Sequence, residues 1–179
     1  MRGKKKVFSI FITMMMLFSL SACGTSDNSS DSNKEYKGIN ETTVDGNVSV
    51  TIPANFYKNV TAANNGDIGY VSQSGMTIML TQAPVNINDA NSYIEAVEKN
   101  YDVTNMVRKE ITIDNKAVTH INYDATFEEV HMYLNQFIFF SNEKLYCLEL
   151  SVMKEKANDI ISEQIKEGIM EVANSLKMK

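Results

Sequence analysis

The chain has 179 residues, of which 44% are hydrophobic and 22% charged, and its formal net charge is −5. This length suits one domain of ordinary size and is too short for two comfortable ones once terminal segments are set aside. The excess of acidic residues argues against nucleic-acid binding and against broad adhesion to anionic lipid headgroups, since both use clustered Lys and Arg.

The first 22 residues have the pattern of an export signal. Arg2 and the lysines at 4–6 precede an apolar run of 14 residues from Val7 to Leu20, which small residues and a cysteine follow. An α-helix needs roughly 20 residues to cross the hydrocarbon core of a bilayer, so we predict a segment that is removed. Its removal takes away four basic and no acidic side chains, which leaves 13 Lys plus Arg against 22 Asp plus Glu and a net charge of −9.

The residues at the predicted cleavage point resemble the lipobox of bacterial lipoproteins. They are Leu20-Ser21-Ala22-Cys23, and in that family the thiol receives diacylglycerol before a dedicated peptidase cuts in front of the cysteine. The resemblance implies cleavage between Ala22 and Cys23 and a covalent diacylglycerol on Cys23, with or without an N-acyl chain. The alternative is an ordinary secretory signal with a chance cysteine. Two or three acyl chains, at about 0.8 kcal/mol per buried methylene, would anchor the protein durably at the extracytoplasmic face of the cell membrane.

Residues 24–34 contain no apolar side chain to bury, so we predict a flexible tether after the cysteine. A flexible chain of about 15 residues has a root-mean-square reach of roughly 20 Å, which would keep the domain near the membrane. We therefore divide the chain into a signal peptide (1–22), a lipidated cysteine with a Ser/Asn/Asp-rich tether (23–42) and one globular domain (43–179).

Alternating apolar residues predict β-strands through most of that domain. Residues 48–52 indicate a strand with one wet face, residues 56–57 would cover a sheet edge, and residues 68–80 form a hairpin. Further strands are predicted over 106–113, 117–124, 130–140 and 145–152, joined by tight turns into an antiparallel meander. Because both alternating sets of residues 130–140 include apolar side chains, we expect that strand in the middle of a covered sheet.

Two helices are predicted to pack on this sheet. Asn88 and Asp89 are N-cap candidates for a short helix with apolar residues at helical spacing: Tyr93, Ile94, Val97 and Tyr101. A longer C-terminal helix has an apolar stripe that consists of Ile160, Ile161, Ile165, Ile169, Val172, Ala173 and Leu176. The predicted class is therefore α+β, an antiparallel β-sheet packed between a short helix and a C-terminal amphipathic helix.

This order of elements resembles the PsbP-like fold, a group that includes DcrB-like bacterial lipoproteins. The resemblance covers residues 43–178, and it rests on element order and on an Ile-Pro-x-x-Phe stretch at residues 52–56, where relatives often have a Pro and an aromatic residue. It implies an α/β/α sandwich. Members are mostly accessory, assembly or protein-contacting factors without established catalysis, and none of their contact residues is carried over to this chain.

His120 and His131 are the only histidines, on neighbouring predicted strands, and are therefore the candidates for a metal site. If Asp124 pairs with Val130 across a five-residue loop, the two imidazoles lie on opposite faces of the sheet and could not share an ion. A one-residue slip of the register would reverse that conclusion. We predict no metal site and two solvated or hydrogen-bonded histidines.

No residue pattern indicates catalysis. Cys147 stands between Tyr146 and Leu148 in an apolar strand, which favours a buried thiol with a raised pKa over a nucleophile. It is the only other cysteine once Cys23 is acylated, so no intramolecular disulfide is expected. The sequence has no Gly-x-Ser-x-Gly elbow, glycine-rich phosphate loop or His-Glu-x-x-His motif. We predict neither enzymatic activity nor a cofactor.

Two functions from different classes remain open. The first is a membrane-anchored, non-catalytic module that binds another protein of the cell envelope. The alternative is a carrier or binder of a small apolar ligand or lipid, held between the sheet and the short helix 89–101. Three aromatic residues of one strand are candidates to line such a groove, and they would be core residues if a helix covers them: Tyr133, Phe137 and Phe139.

Overall fold

The computed structural model describes residues 38–59, 62, 66–127, 129–154 and 168–179. The described fold begins at Gly38. Cys23 and the signal peptide lie outside the described residues, as do Ile160, Ile161 and Ile165 of the predicted C-terminal stripe. In the part of the chain that the structure describes, no helix is long and apolar enough to cross a membrane.

The described residues form ten strands and one complete helix, and a C-terminal helical turn lies between the ninth and tenth strands. In chain order they are β1 Gly38–Thr42, β2 Val48–Pro53, β3 Phe56–Lys58, β4 Ile68–Ser72, β5 Thr77–Gln82, α1 Ala90–Asn100, β6 Asp102–Ile113, β7 Lys116–Phe127, β8 Val130–Ser141, β9 Lys144–Met153 and β10 Lys177–Met178. Residues 168–174 are helical as well. The strands of the predicted meander are all present, and β6 and β7 are longer than predicted.

Seven strands form the main antiparallel sheet, in the order β3-β4-β5-β9-β8-β7-β6. The early hairpin joins the meander through β5, where Ile78 lies opposite Leu150 of β9. β8 runs between β9 and β7 and is buried over most of its length, which confirms the prediction for residues 130–140. Residues 56–57, predicted as cover for a sheet edge, belong instead to the edge strand β3.

A second sheet of three strands, in the order β1-β2-β10, was not predicted from the sequence. β1 falls in the segment predicted as tether, so the folded part begins five residues before the predicted boundary at 43. Glu41 in β1 accepts hydrogen bonds from Lys58 Nζ at 2.8 Å and from the Tyr70 hydroxyl. Backbone pairing with β2 needs no apolar side chains, which is why composition alone suggested a tether. A Cβ at Gly38 would collide with Thr51 and the Ile52 carbonyl.

The main core lies between one face of the large sheet and a layer made of the small sheet and the C-terminal helical residues. Side chains alternate across each strand, so the even-numbered residues of β9 face this layer. Its members include Val48, Val50, Ile52, Phe137, Phe139, Tyr146, Leu148, Leu150, Val152, Ile169, Val172, Ala173 and Leu176. The predicted helix therefore shares this face with a small sheet.

Helix α1 covers the other face of the large sheet. Asp89 is its N-cap, as predicted, and accepts a hydrogen bond from Ser92 N at 2.7 Å, while Ser92 Oγ accepts one from Asp89 N at 3.3 Å. This reciprocal pair satisfies backbone donors that the first helical turn leaves free. The buried residues of α1 are Tyr93, Ile94 and Val97. The predicted α+β class, with helices on both faces of an antiparallel sheet, is confirmed.

Asp45 links the turn before β2 to the start of β9 through side-chain hydrogen bonds. Its carboxylate accepts hydrogen bonds from Lys144 Nζ at 2.8 Å, from the Tyr146 hydroxyl at 2.5 Å and from Thr43 Oγ1 at 2.8 Å. Burial opposes the charge, but these hydrogen bonds prevail and hold the pKa of Asp45 well below its usual value. The last strand is fixed at the same end, because Lys179 N donates to Asn47 O at 3.1 Å.

We expect Asp45→Ala to lower the free energy of unfolding by about 1–3 kcal/mol at pH 7. The Tyr146 hydroxyl loses its acceptor, and so does Asn47 Nδ2, which donates to Asp45 Oδ2 at 2.9 Å. Since the native pKa is lowered, this stability is present above the ordinary pKa of about 4 and is lost as pH falls through the native value. Urea titrations at pH 7 and pH 3 should show the gap to wild type narrowing in acid. The control is Asp102→Ala, an exposed residue; an equal loss in both variants would contradict the prediction.

Candidate functional site: buried polar residues beneath helix α1

Polar side chains are buried together between α1 and the large sheet. Gln136 of β8 lies directly opposite Glu149 of β9, and Tyr93 reaches them from α1. Their exposed fractions are 2% for Gln136, 9% for Glu149 and 3% for Tyr93. Together with two neighbours on β9, they form what we call the Glu149 cluster: Tyr93, Gln136, Cys147, Glu149 and Ser151.

The members of the Glu149 cluster are joined by hydrogen bonds. Gln136 Nε2 donates to Glu149 Oε2 at 2.7 Å and to the Tyr93 hydroxyl oxygen at 3.4 Å. The Ser151 hydroxyl lies near Glu149 and the Tyr93 hydroxyl lies near Cys147, where each favours the charged form of its neighbour. Gln136 Oε1 has no hydrogen-bond partner within the described residues. The network therefore retains one buried acceptor that needs a donor.

Burial dominates the electrostatics of this cluster. It raises the pKa of Glu149, although the hydrogen bonds from Gln136 and Ser151 favour the charged form. Burial and the nearby Glu149 carboxyl raise the pKa of the Cys147 thiol, and they raise the pKa of Tyr101 to about 12. Removing a carboxylate from water is costly unless a cation compensates it. Burial therefore stabilises the protonated form of Glu149 relative to its carboxylate.

These properties limit the chemistry that the cluster can perform. Cys147 is 1% exposed and its raised pKa keeps the thiol protonated, in agreement with the buried thiol predicted from sequence. A buried carboxyl group of raised pKa is suited to binding and releasing a proton. The cluster also places polar groups where the alternative function requires an apolar cavity, which disfavours a purely apolar ligand beneath α1.

Glu149 was not predicted as a functional residue because it belongs to no catalytic sequence motif. The available signal is positional: Glu149 is the only charged residue of the apolar segment 145–152. In a strand with neighbours on both sides and cover on both faces, such a residue has to be buried. Its partner Gln136 has no such signal, because Asn135 stands beside it in the strand, and only the register of β8 and β9 shows that Gln136 and Glu149 meet.

The structure corrects the predicted register of the β7–β8 hairpin. Phe127 pairs with Val130, which shifts the pairing by three residues from the predicted Asp124–Val130 pair. The five-residue loop assumed from sequence is wrong because β7 continues to Phe127. An odd shift exchanges the faces, so His120 and His131 lie on the same face of the sheet. Their positions are six residues apart along the hairpin, about 20 Å, which is too far to share an ion.

Each histidine has its own neighbours. His120 Nε2 lies 3.2 Å from Asn135 Oδ1, and its ring stacks on Phe137 with 4.4 Å between ring centroids. His131 Nδ1 lies 3.0 Å from Thr126 Oγ1. Among the residues that the structure describes, no group of three or more His, Cys, Asp or Glu side chains is close enough to hold a metal ion.

The three aromatic candidates for a ligand groove lie on the face away from α1. Phe137 and Phe139 are 0% and 2% exposed and belong to the main core, and Tyr133 is partly buried at its margin. They therefore do not line a groove between the sheet and the short helix, as the alternative function would require. Ala22 and Cys23 lie outside the described residues, and cleavage and lipidation there stay predictions.

Comparison with known proteins bears on the fold. No family model and no curated protein matches the chain. The solution structure of cyanobacterial PsbP (CyanoP) from Synechocystis sp. PCC 6803 aligns with a TM-score of 0.50 and 11% identity, over 85% of this chain and 98% of that chain. A crystal structure from Bacteroides thetaiotaomicron VPI-5482 aligns with a TM-score of 0.51 and 10% identity, over 79% of this chain and 48% of that chain. At such identities the likeness concerns architecture alone, and the chain has a PsbP-like α+β fold.

Proposed function

We propose that this protein is a non-catalytic accessory module of the cell envelope, anchored by lipid on Cys23, that binds another envelope protein. The observation that carries the proposal is the lipobox-like Leu20-Ser21-Ala22-Cys23 behind a basic and then apolar segment. Fourteen residues, 24–37, lie between Cys23 and Gly38, where the described fold begins. The tether predicted from the sequence of these residues would let the domain meet a partner close to the membrane.

The domain has two distinct ends. β1 runs from Gly38 at one end to the turn at residues 43–47 at the other. The loop at residues 83–87 lies at that second end too, because Ala83 N donates to Leu145 O at the start of β9. Val44 and Val85, with exposed fractions of 89% and 97%, stand at the end remote from Gly38. We expect a partner to meet this end, which faces away from the attachment point.

Lipidation is tested first, by mass spectrometry of the amino-terminal peptide of the protein isolated from membranes. The proposal expects a peptide that begins at Cys23 and has the mass of added acyl chains. In a Cys23→Ser variant the protein should leave the membrane fraction. An unmodified Cys23 in the membrane-associated protein would remove the basis of the anchor.

Partner binding is tested by placing a photo-reactive amino acid at Val85 in intact cells. The matched control position is Tyr57, which is 57% exposed on β3 and lies toward the end that holds Gly38. We expect one envelope protein to be captured from Val85 in the anchored protein and not in the Cys23→Ser form. If neither position yields a product above background, the partner-binding proposal loses its support.

The carrier function has no observation in its favour within the described residues. The Glu149 cluster beneath α1 is polar, and Phe137 and Phe139 are packed in the core. Solvent extraction of the purified protein followed by mass spectrometry tests it directly. A stoichiometric apolar molecule in the extract would favour the carrier over the accessory module.

A further inference from the structure

The Glu149 cluster plays no part in the proposed partner binding, and it presents a chemical problem of its own. A carboxyl group that is 9% exposed has an amide and a hydroxyl as donors. Beside it, the amide oxygen of Gln136 is buried and has no donor among the residues that the structure describes. Both a buried, uncompensated carboxylate and an unsatisfied buried acceptor are costly.

A single proton resolves both problems. When ionised, a carboxyl group only accepts hydrogen bonds, whereas in its protonated form it also donates one. A protonated carboxyl and a primary amide can therefore form two mutual hydrogen bonds, N–H to carboxyl oxygen and O–H to amide oxygen. The first is present, from Gln136 Nε2 to Glu149 Oε2 at 2.7 Å. A proton on Glu149 would provide a donor for Gln136 Oε1, which has none among the described residues.

We propose that Glu149 is a proton-binding site, occupied at neutral pH and shared with the Gln136 amide, and that release of its proton loosens α1 from the sheet. The ionised carboxylate needs water or a cation. Its own strand and the two strands beside it, β5 and β8, close the plane of the sheet, so access to Glu149 has to come from the side that α1 covers. Opening of α1 is therefore the step that rehydration requires.

Among the described residues, the groups that face Glu149 do not include a cation that would neutralise its carboxylate. β9 contributes Cys147 and Ser151, β8 contributes Gln136 and β5 contributes Met79. The other neighbours are the hydroxyl groups of Tyr123 on β7, of Tyr93 on α1 and of Tyr101, the residue that follows α1. The charged groups on this side are exposed: Glu95, Glu98 and Lys99 on α1, and the paired Arg108 and Glu110 on β6. Arg108 Nη1 also donates to Asn91 Oδ1 at 2.6 Å, at the start of α1.

The sign of the pH dependence follows from the burial. Because the pKa of Glu149 is raised in the folded state, the closed form binds more protons than a form in which the carboxyl is hydrated. Closure of α1 is therefore favoured most at low pH and weakens as pH rises above the ordinary glutamate pKa of about 4.3. Between that value and the raised pKa, coupling to one proton increases the open fraction by about tenfold per pH unit.

Infrared spectroscopy of the full-length protein, purified in detergent at pH 7, tests whether the Glu149 carboxyl group is protonated. The carbonyl stretching band of a protonated carboxylic acid should be present in the native protein and absent in Glu149→Gln. It should persist in Glu110→Gln, which changes an exposed carboxyl, and in Asp67→Asn, since burial raises the pKa of Asp67 only to about 6. No band in the native protein, or a band that survives in Glu149→Gln, would overturn the proposal.

Amide hydrogen exchange across pH 5–8, corrected for the intrinsic exchange rate, tests the coupling to α1. Protection of residues 93–100 should fall with rising pH by up to tenfold per unit, while amides of β8 keep their protection. In Glu149→Gln the protection of α1 should not depend on pH. If that variant does not fold, the native profile alone decides, because a flat profile over residues 93–100 rules out the coupling.

Discussion

Ile169→Asp is expected to unfold the domain. Ile169 is 2% exposed in the main core, on the helical turn that packs against the sheets. The substitution gives up roughly 1.5–3 kcal/mol of apolar burial and places a carboxylate among the apolar side chains of the core. Domains are stable by only about 5–15 kcal/mol, so the combined loss should exceed most of that margin.

Circular dichroism and limited proteolysis of the purified variant measure this effect. The matched control is Glu171→Ala, two residues further along the same helix, at an exposed position. Its stability should stay within about 0.5 kcal/mol of wild type. A cooperative unfolding transition in Ile169→Asp at the wild-type midpoint would show that this helix does not close the core. Ile165, the other predicted position, lies outside the described residues.

Phe137→Ala should lower the free energy of unfolding by about 3–5 kcal/mol, the range measured when a large aromatic side chain is removed from a core. Phe137 is fully buried, packs in the main core and stacks on the His120 ring. The sequence left two interpretations of this residue, core or wall of a ligand groove. A large loss of stability is the result that the core position requires.

Phe140→Ala is the control for this prediction. It is three residues along the same strand, faces the opposite side of the sheet and is 46% exposed. Urea titration should show a loss of less than about 1.5 kcal/mol for Phe140→Ala, because only part of its side chain is removed from water. Equal and small losses in both variants, together with bound lipid in the wild type, would favour the groove.

Local patterns predicted the elements well where burial repeats along the chain. The alternation at residues 48–52 and across the meander reports which side chains are buried, and β2 and β6–β9 follow it. Asp89 marks the start of α1 because it caps the helix through atoms only three residues away. The buried state of Cys147 was predictable for the same reason, from its apolar neighbours.

The errors occurred where no local pattern exists. The segment 124–127 has no alternation strong enough to place the end of β7, so the hairpin register was wrong by three residues and the histidines were assigned to opposite faces. β1 and β10 are held by backbone pairing to β2, and they contain too few apolar side chains for the sequence to indicate a strand. Their composition resembles that of a tether or a chain end.

The sequence by itself determined the order of the main strands and helices and the α+β class, and it predicts export and lipidation. Each of these depends on neighbouring residues or on a short repeat. Only the tertiary structure decided that β5 pairs with β9, that a small sheet closes the core, and that Gln136 meets Glu149 under α1. These contacts join residues far apart in the chain. Such contacts depend on the register between strands and on the burial that their packing produces. Neither property can be read from a single segment of the sequence.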